Sequence, residues 1–398
     1  VNIAPRAGFS FNPDGKSRTV VRGGFGVLFG PQPRDDYNSA VGRSTKIPVI
    51  AIFSKAEAAA NGMRFPFFND QTMRIVEASG QTQVGSVFDP NIQNPYSMNL
   101  YFGVQRALTS TAMFETAFVG NRGVKFRLQR QYNEVNRLTG TRPNPSIGNG
   151  RYFSSDQDTV YYSWQSSLRK RYSKGLTGSV HYTWGKALSY SGGDTGAGFS
   201  GDTFLTVQDF FERRANRGPS AGDVTHRFIT EAVYETPGLA SLNPAWQRIA
   251  GTWQLSCVFA ALTGEPLLIT QGSSIANSRP DYIGGQPVLG DYRRTLQYLN
   301  RPAFARVPIV TASGATVRAG NLGNGAVRLP GRWNLDFSLG KNFPIKEQLR
   351  FQLRADMFNS LNHTNFSAIV TNINSGTFGR FTRTTGARII QLNARLSW

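Results

Sequence analysis

The chain has 398 residues, 39% of them hydrophobic, and its 44 Lys and Arg against 24 Asp and Glu give a formal net charge of +20. No run approaches the ~18 apolar residues that a membrane-spanning helix needs. The best stretches, residues 48–53 and 257–262, stop far short, which excludes a helical membrane protein. The basic residues are spread along the whole chain rather than gathered in an arm. That argues against nucleic acid as a partner; a basic exterior next to the anionic sugars of an outer leaflet would suit a barrel, if the strands make one.

The chain starts at Val1 with neither Met nor a signal peptide, so the expectation is that processing or truncation removed what preceded it. Ala7, Phe9 and Phe11 then alternate with polar residues, and Asn12-Pro13-Asp14-Gly15 turns the chain. Val21, Gly23, Phe25, Val27 and Phe29 return. A long polar stretch, 31–95, has no readable order beyond short structure of its own around 55–60. Met98, Leu100, Phe102 and Val104 form the next apolar face, with a tight turn at Leu108-Thr109-Ser110 and a return through Phe114, Thr116 and Phe118. Residues 121–158, rich in Asn, Arg, Pro and Gly, look like another long loop.

Val160, Tyr162, Trp164, Ser166 and Leu168 lead to a turn at Ser173-Lys174-Gly175, and Leu176, Val180, Tyr182 and Trp184 come back. A long loop at 186–225 contains the glycine-rich run 192–198. Phe228, Thr230, Ala232 and Tyr234 are followed by a medium turn with Pro237 and Pro244. Trp253, Leu255, Cys257, Phe259 and Ala261 continue. Cys257 is the sole cysteine, so no intrachain disulfide forms, and its place on an apolar face makes it a small hydrophobe. After a loop at 264–332, Trp333, Leu335, Phe337 and Leu339 alternate again. So do Leu349, Phe351, Leu353, Ala355 and Met357, and then Ile390, Leu392, Ala394, Leu396 and Trp398.

Period two means strands with one apolar and one polar face. Transmembrane barrel strands need roughly 9–11 tilted residues of this alternation. Short turns and long loops alternate, as in outer-membrane barrels with short periplasmic turns and long extracellular loops. The expected fold is therefore all-β, an antiparallel transmembrane β-barrel, with the last strand descending so that Trp398 lies in the periplasm. The aromatics fall into two belts. Near the outer ends are Phe29, Tyr162, Trp184, Trp333 and Phe358. Near the inner ends are Phe11, Tyr172, Tyr234, Trp253 and Trp398.

The polar face carries full charges in mid-strand: Arg22, Glu115, Arg169, Arg227, Glu231, Asp336, Arg350, Arg354, Asp356 and Arg395. The strands number about eleven, where bacterial single-chain barrels have even counts. An odd count leaves two open edges, and hydrocarbon tolerates no unpaired edge. The expectation is of a partial barrel.

Several segments resemble the C-terminal barrel of TonB-dependent outer-membrane receptors, and most of all the Oar-like branch, whose members carry an N-terminal carboxypeptidase-regulatory-like domain. They are Asn2-Ile3-Ala4-Pro5-Arg6-Ala7-Gly8-Phe9, Val21-Arg22-Gly23-Gly24-Phe25-Gly26, and Asn94-Pro95-Tyr96 leading to Gly103-Val104-Gln105-Arg106. Val119-Gly120-Asn121-Arg122-Gly123, Arg171-Tyr172-Ser173-Lys174-Gly175-Leu176 and Tyr182-Thr183-Trp184-Gly185-Lys186-Ala187 follow. Asp223-Val224-Thr225-His226-Arg227-Phe228 and Asp356-Met357-Phe358-Asn359-Ser360-Leu361-Asn362-His363-Thr364-Asn365-Phe366 complete the set. Thr364 stands where the family more often has Pro.

The resemblance implies that residues 1–398 are the C-terminal portion of a barrel of about twenty-two strands, without the plug and the regulatory-like domain. It implies import of a bulky nutrient or metal chelate powered through TonB. The polar-face charges would then meet the plug, one another or the substrate path. It also implies a terminal aromatic, Trp398, that the barrel-assembly machinery reads.

No constellation for catalysis appears, and the expectation is of neither enzyme nor cofactor. His181, His226 and His363 are far apart, and neither zinc-ligand spacing, a Gly-x-Ser-x-Gly elbow nor a P-loop is present. The run 192–198 lacks the strand–helix context of an anion cradle. Two other functions compete: a surface or adhesion barrel without transport, and a soluble all-β carbohydrate-binding module.

Overall fold

A computed structural model describes residues 2–15, 18–30, 86–145, 150–190, 207–208, 213–238, 243–275, 277–345 and 349–398. The short structure expected around 55–60 and the glycine run 192–198 lie outside the described residues.

Eleven strands pair in chain order along the main path of one sheet. They are β1 (Arg6–Phe11), β2 (Thr19–Phe29), β3 (Tyr96–Ala107), β4 (Ala112–Tyr132), β5 (Gly150–Ser173) and β6 (Leu176–Ser189). β7 (His226–Glu235), β8 (Trp253–Leu262), β9 (Arg332–Pro344), β10 (Arg350–Phe358) and β11 (Ile389–Ser397) continue it. Every neighbouring pair on this path is antiparallel. β1 and β11 are the two ends of the path. No helix among the described residues is long and apolar enough to cross a membrane.

Opposed residues share a face, so the registers assign every strand. Phe9 opposes Gly23, which opposes Phe102, and Phe118, Trp164, Trp184 and His226 extend the row. Leu255 opposes both Tyr234 and Leu339. These and the other apolar alternating residues form one outward set, most of it exposed in the isolated chain, as a lipid-facing wall requires. Gly23 is needed where it sits: the Phe9 ring covers the place its Cβ would occupy. Cys257 lies in the same outward set, opposite Ala232 and Phe337.

The turns are as short as the sequence implies at one end. Lys174 and Gly175, both at positive φ (53° and 79°), join β5 to β6 in the two-residue geometry that suits twisted strands. Two expectations need correction. Residues 121–158 are not mostly loop, because β4 and β5 run to Tyr132 and back from Gly150, with a bulge between Gly123 and Phe126. Arg122, Lys125, Arg127 and Arg130 disguised that hairpin as a polar loop, yet Leu128 and Phe153 within it are fully buried. Phe358 belongs to neither belt: it opposes Ile389 and shares the polar face with Asp356. The loops at 264–332 and 359–388 are folded and hold the main hydrophobic core. Ile269, Leu299, Phe304, Val327, Ile373, Phe378 and Phe381 pack there.

Candidate functional site

Two surfaces carry the chain's polar chemistry: the inner face of the wall and the folded loops, here called the cap. The inner face is continuous. Arg169 opposes Ser179, which opposes Glu231, then Val258, then Asp336. Arg22 stands opposite Gly103, and that row passes through Ala117, Gln165 and Thr183 to Arg227. Glu115 opposes Gln105 and Ser167. Arg350, Arg354 and Asp356 oppose Ser397, Asn393 and Gln391, and Arg395 opposes Gln352. The structure thus brings every sequence-expected wall charge onto one face.

Partnering on that face is uneven. The acids are satisfied by neighbours, neutral ones for Glu115, Glu231 and Asp336 and both Arg354 and Asn393 for Asp356. Tyr101 donates its hydroxyl to Glu115 at 3.1 Å. Ser179 donates to Glu231 at 2.9 Å and lies 2.8 Å from His181 Nε2, beside an open recess of about 570 Å³ that Arg169 also lines. Asp336 accepts from the Asn334 side chain at 2.7 Å and the Asn359 amide at 2.8 Å. Asp356 accepts from Arg354 at 2.7 Å and Asn393 at 3.2 Å. Among the described residues, Arg22, Arg169, Arg227, Arg350 and Arg395 make no ion pair. This face therefore presents guanidinium groups without ion pairs among the described residues, while its carboxylates are tied to the wall.

The histidines do not converge. His181 faces inward. His226 faces outward, where Tyr182 lies 2.8 Å from its Nδ1. His363 stacks on Trp333 at 3.9 Å between ring centroids. Among the described residues no group of three His, Cys, Asp or Glu could hold a metal ion. The belt residues Tyr162, Trp184, Trp333 and Trp253 take outward positions in the registers. Tyr172 sits in the irregular end of β5 and donates its hydroxyl to Glu235 at 2.8 Å. Trp398, just past β11, is exposed.

The cap was missed by sequence reasoning, and a buried polar knot holds it. Arg279 donates to the carbonyls of Leu322 and Ala215, both at 2.8 Å, and to Asn216 Oδ1 at 3.3 Å, while its amide donates to Gln208 Oε1 at 2.8 Å. All of these acceptors are neutral, and burial pulls the guanidinium down to about 10. Arg137 donates to Thr316 Oγ1 at 2.6 Å and to the Gln208 carbonyl at 2.9 Å. Segments near 137, at 207–208 and 213–216, and the described residues of 264–331 thus interlock. The 359–388 loop joins through Phe366 on Tyr292 and Phe381 on Tyr298, 5.6 and 5.4 Å between centroids. Tyr298 donates to the Arg328 carbonyl at 2.7 Å, and burial pushes its phenol up to about 12. Arg318 grips Asp281 with two bonds of 2.8 and 2.7 Å, the first cause of that carboxyl lying below its ordinary range.

At the rim between wall and cap, an asparagine clasp closes the exit of β10. His363 donates its amide to Asn359 Oδ1 at 2.8 Å, and Asn359 Nδ2 donates back to the His363 carbonyl at 3.0 Å. Trp333 and Asn365 exchange bonds of 3.1 and 2.7 Å. The signal was present in the quoted Asn359-to-Phe366 segment, whose spaced asparagines suit such turns.

A family model described as "Outer membrane beta barrel domain" matches residues 1–391. Among curated proteins, none matches the chain in sequence. Among solved structures, the outer membrane transporter YddB from Escherichia coli superposes with a TM-score of 0.57 at 10% identity, over 100% of this chain and 41% of that one. The FrpB iron transporter from Neisseria meningitidis gives 0.45 at 12% identity, over 99% of this chain and 39% of that one. The chain spans well under half the length of these structures.

Proposed function

This chain belongs to the outer membrane beta barrel domain family, and on that premise we propose that it is the C-terminal portion of the wall of a TonB-dependent transporter importing a bulky nutrient or metal chelate. It lies in the cell outer membrane. Its short turns face the periplasm and its cap faces outward, following the ordinary asymmetry of such barrels. The remainder of the wall, the plug, the segment that meets TonB and an Oar-like regulatory domain belong to the rest of the protein in this reading. Lipopolysaccharide surrounds the outer rim, and the assembly machinery inserts the wall.

The observation that carries the reading is the inner face. Arg22, Arg169, Arg227, Arg350 and Arg395 stand there without a carboxylate partner among the described residues, while the acids are engaged by the wall itself. Such a face suits an occupant bearing carboxylates: an acidic plug surface, an anionic chelate in transit, or both in turn. An adhesion barrel without transport is the second reading, favoured by the cap, which has a core of its own and resembles a displayed domain.

Uptake separates the two. A strain lacking the protein should lose accumulation of one class of labelled ferric chelate or bulky nutrient. Wild-type cells should lose it when the proton-motive force is collapsed. Unchanged uptake across a panel of such cargoes, together with lost surface binding, would sink transport in favour of adhesion.

A further inference from the structure

One segment at the short-turn end departs from the wall's alternation. Between β7 and β8 the chain forms a helix, α1 (Pro244–Ala250), capped by Asn243, whose side chain accepts from the Trp246 amide at 3.0 Å. Trp246 and Ile249 are each 58% exposed. Three residues apart on a helix, they share a face.

Lys341 fixes the side of the wall on which α1 lies. It opposes Trp253 on β8 and Leu353 on β10, which places it in the outward set with Leu255 and Leu339. A bare ammonium there would stand against lipid, where charge is penalised. Lys341 is instead only 2% exposed. Its amine donates to the carbonyl of Gly251, the C-cap residue of α1. It also lies 4.9 Å from the Trp253 ring centre and 5.4 Å from that of Phe343. A helix C-terminus carries partial negative charge, so α1 offers this cation its favourable end. Trp253 Nε1 donates to the Ile249 carbonyl at 2.9 Å, tying the helix to the same outward face. The segment is folded back against the lipid side of the wall.

We infer that α1 is a membrane-interface anchor: Trp246 and Ile249 enter the headgroup boundary of the phospholipid leaflet at the short-turn end, with Lys341 sealed beneath. The helix continues a surface that already faces lipid, beside the outward aromatics Tyr234 and Trp253. An exposed Trp and Ile at that level have the composition of an interfacial segment.

The test uses the intact protein in phosphatidylcholine vesicles containing lipid brominated near the glycerol end of its acyl chains. Trp246→Cys and Ile249→Cys, each with Cys257→Ser, carry a bimane label. Phe259→Cys in the same background is the wall control, and Ser110→Cys in the β3–β4 turn is the aqueous control. Labels at 246 and 249 should be quenched by brominated lipid at least half as strongly as the label at 259, and shielded from aqueous iodide. Quenching at 259 with only iodide quenching at 246 and 249 overturns the anchor and leaves the wall intact. Shielding of 246 and 249 from both quenchers means that a protein covers the helix, which also overturns it. A 259 label that escapes lipid quenching overturns the wall reading and the anchor with it. A measurement without cysteines runs in parallel. Trp246→Phe should reduce the brominated-lipid quenching of intrinsic fluorescence, and an unchanged value refutes the inference.

Discussion

Leu392 on the wall is 78% exposed, and Leu299 in the cap is fully buried. Each belongs to the apolar set that stabilises its own region. The wall has no interior of its own side chains to bury Leu392, Phe102 or Trp164, so the solvent for its apolar face is lipid. The cap is built as a soluble domain is, around Leu299, Phe304 and Phe381, with buried polar groups knotted to backbone carbonyls. One chain therefore holds two regions that obey opposite burial rules. A substitution should act according to which solvent its side chain meets.

The largest expected effect lies in the cap. Phe381→Ala removes a ring packed against Phe366, Tyr292 and Tyr298, a loss of about 3–5 kcal/mol for a buried aromatic. Limited proteolysis of the intact protein in outer-membrane vesicles should then cut within 264–331 and 359–388 while wall fragments stay protected. Simultaneous loss of wall protection would show that the two regions do not fold as separate units.

The next effect belongs to the wall. Leu353 faces out, opposite Lys341 and Ala394, and Gln352 faces in, opposite Asn342 and Arg395. Leu353→Arg puts a charge on the lipid side, where the cost rises from about 0–1 kcal/mol near the interface to about 2–4 kcal/mol at the midplane, and Gln352→Arg should cost little. Equal costs in a lipid-vesicle folding titration would mean that β10 is registered one residue away from the assignment made here.

Two arginines sharpen the contrast further. Arg279→Met strips the donors from the Leu322 and Ala215 carbonyls and from Asn216, worth about 1–3 kcal/mol because those acceptors are left buried. Arg350→Met on the inner face removes a side chain with no ion-pair partner among the described residues, and should stay within about 0.5 kcal/mol. Denaturant titration of both variants checks the difference. A wall variant as damaging as the cap variant would show that Arg350 is already engaged by an occupant of the lumen.

The two regions also differed in how much of them the sequence revealed. The wall was legible because a strand's side-chain period is two, and one residue of slippage would turn every apolar side chain to the wrong face. Outward rows and inward charges could therefore be assigned before any pairing was known. Phe358 was misplaced because an aromatic at a strand end looks like a belt residue unless parity is counted from Asp356. The cap was not legible because its core residues, Ile269, Leu299, Phe304, Ile373 and Phe381, are scattered among Gly, Asn, Pro and Thr without a period. Only tertiary packing brings them together. Nothing local to Lys341 announces that a carbonyl ninety positions earlier, that of Gly251, meets its amine.

The smallest effect is expected at the seam between wall and cap. The His363 ring lies on Trp333, and its Nε2 is buried without a hydrogen-bond partner among the described residues. Burial first, and then the nearby Arg293, hold its pKa below the ordinary 6.5. The folded form therefore takes up a proton less readily than the unfolded one. Its contribution is fully present above about pH 6.5 and is lost as pH falls through the lower folded value. The clasp should loosen on acidification even where the strands on either side do not. Hydrogen exchange at the amides of His363 and Trp333 should quicken between about pH 7.5 and about pH 5.5, after correction for the intrinsic rate. The Trp253 amide, at the other end of the wall and bonded to Thr236, should not change. His363→Phe keeps an aromatic ring against Trp333 and removes the titration, so its exchange should be flat with pH. A pH response that survives His363→Phe would place the sensitive group elsewhere, with the Asp281–Arg318 grip in the cap as the next group to test.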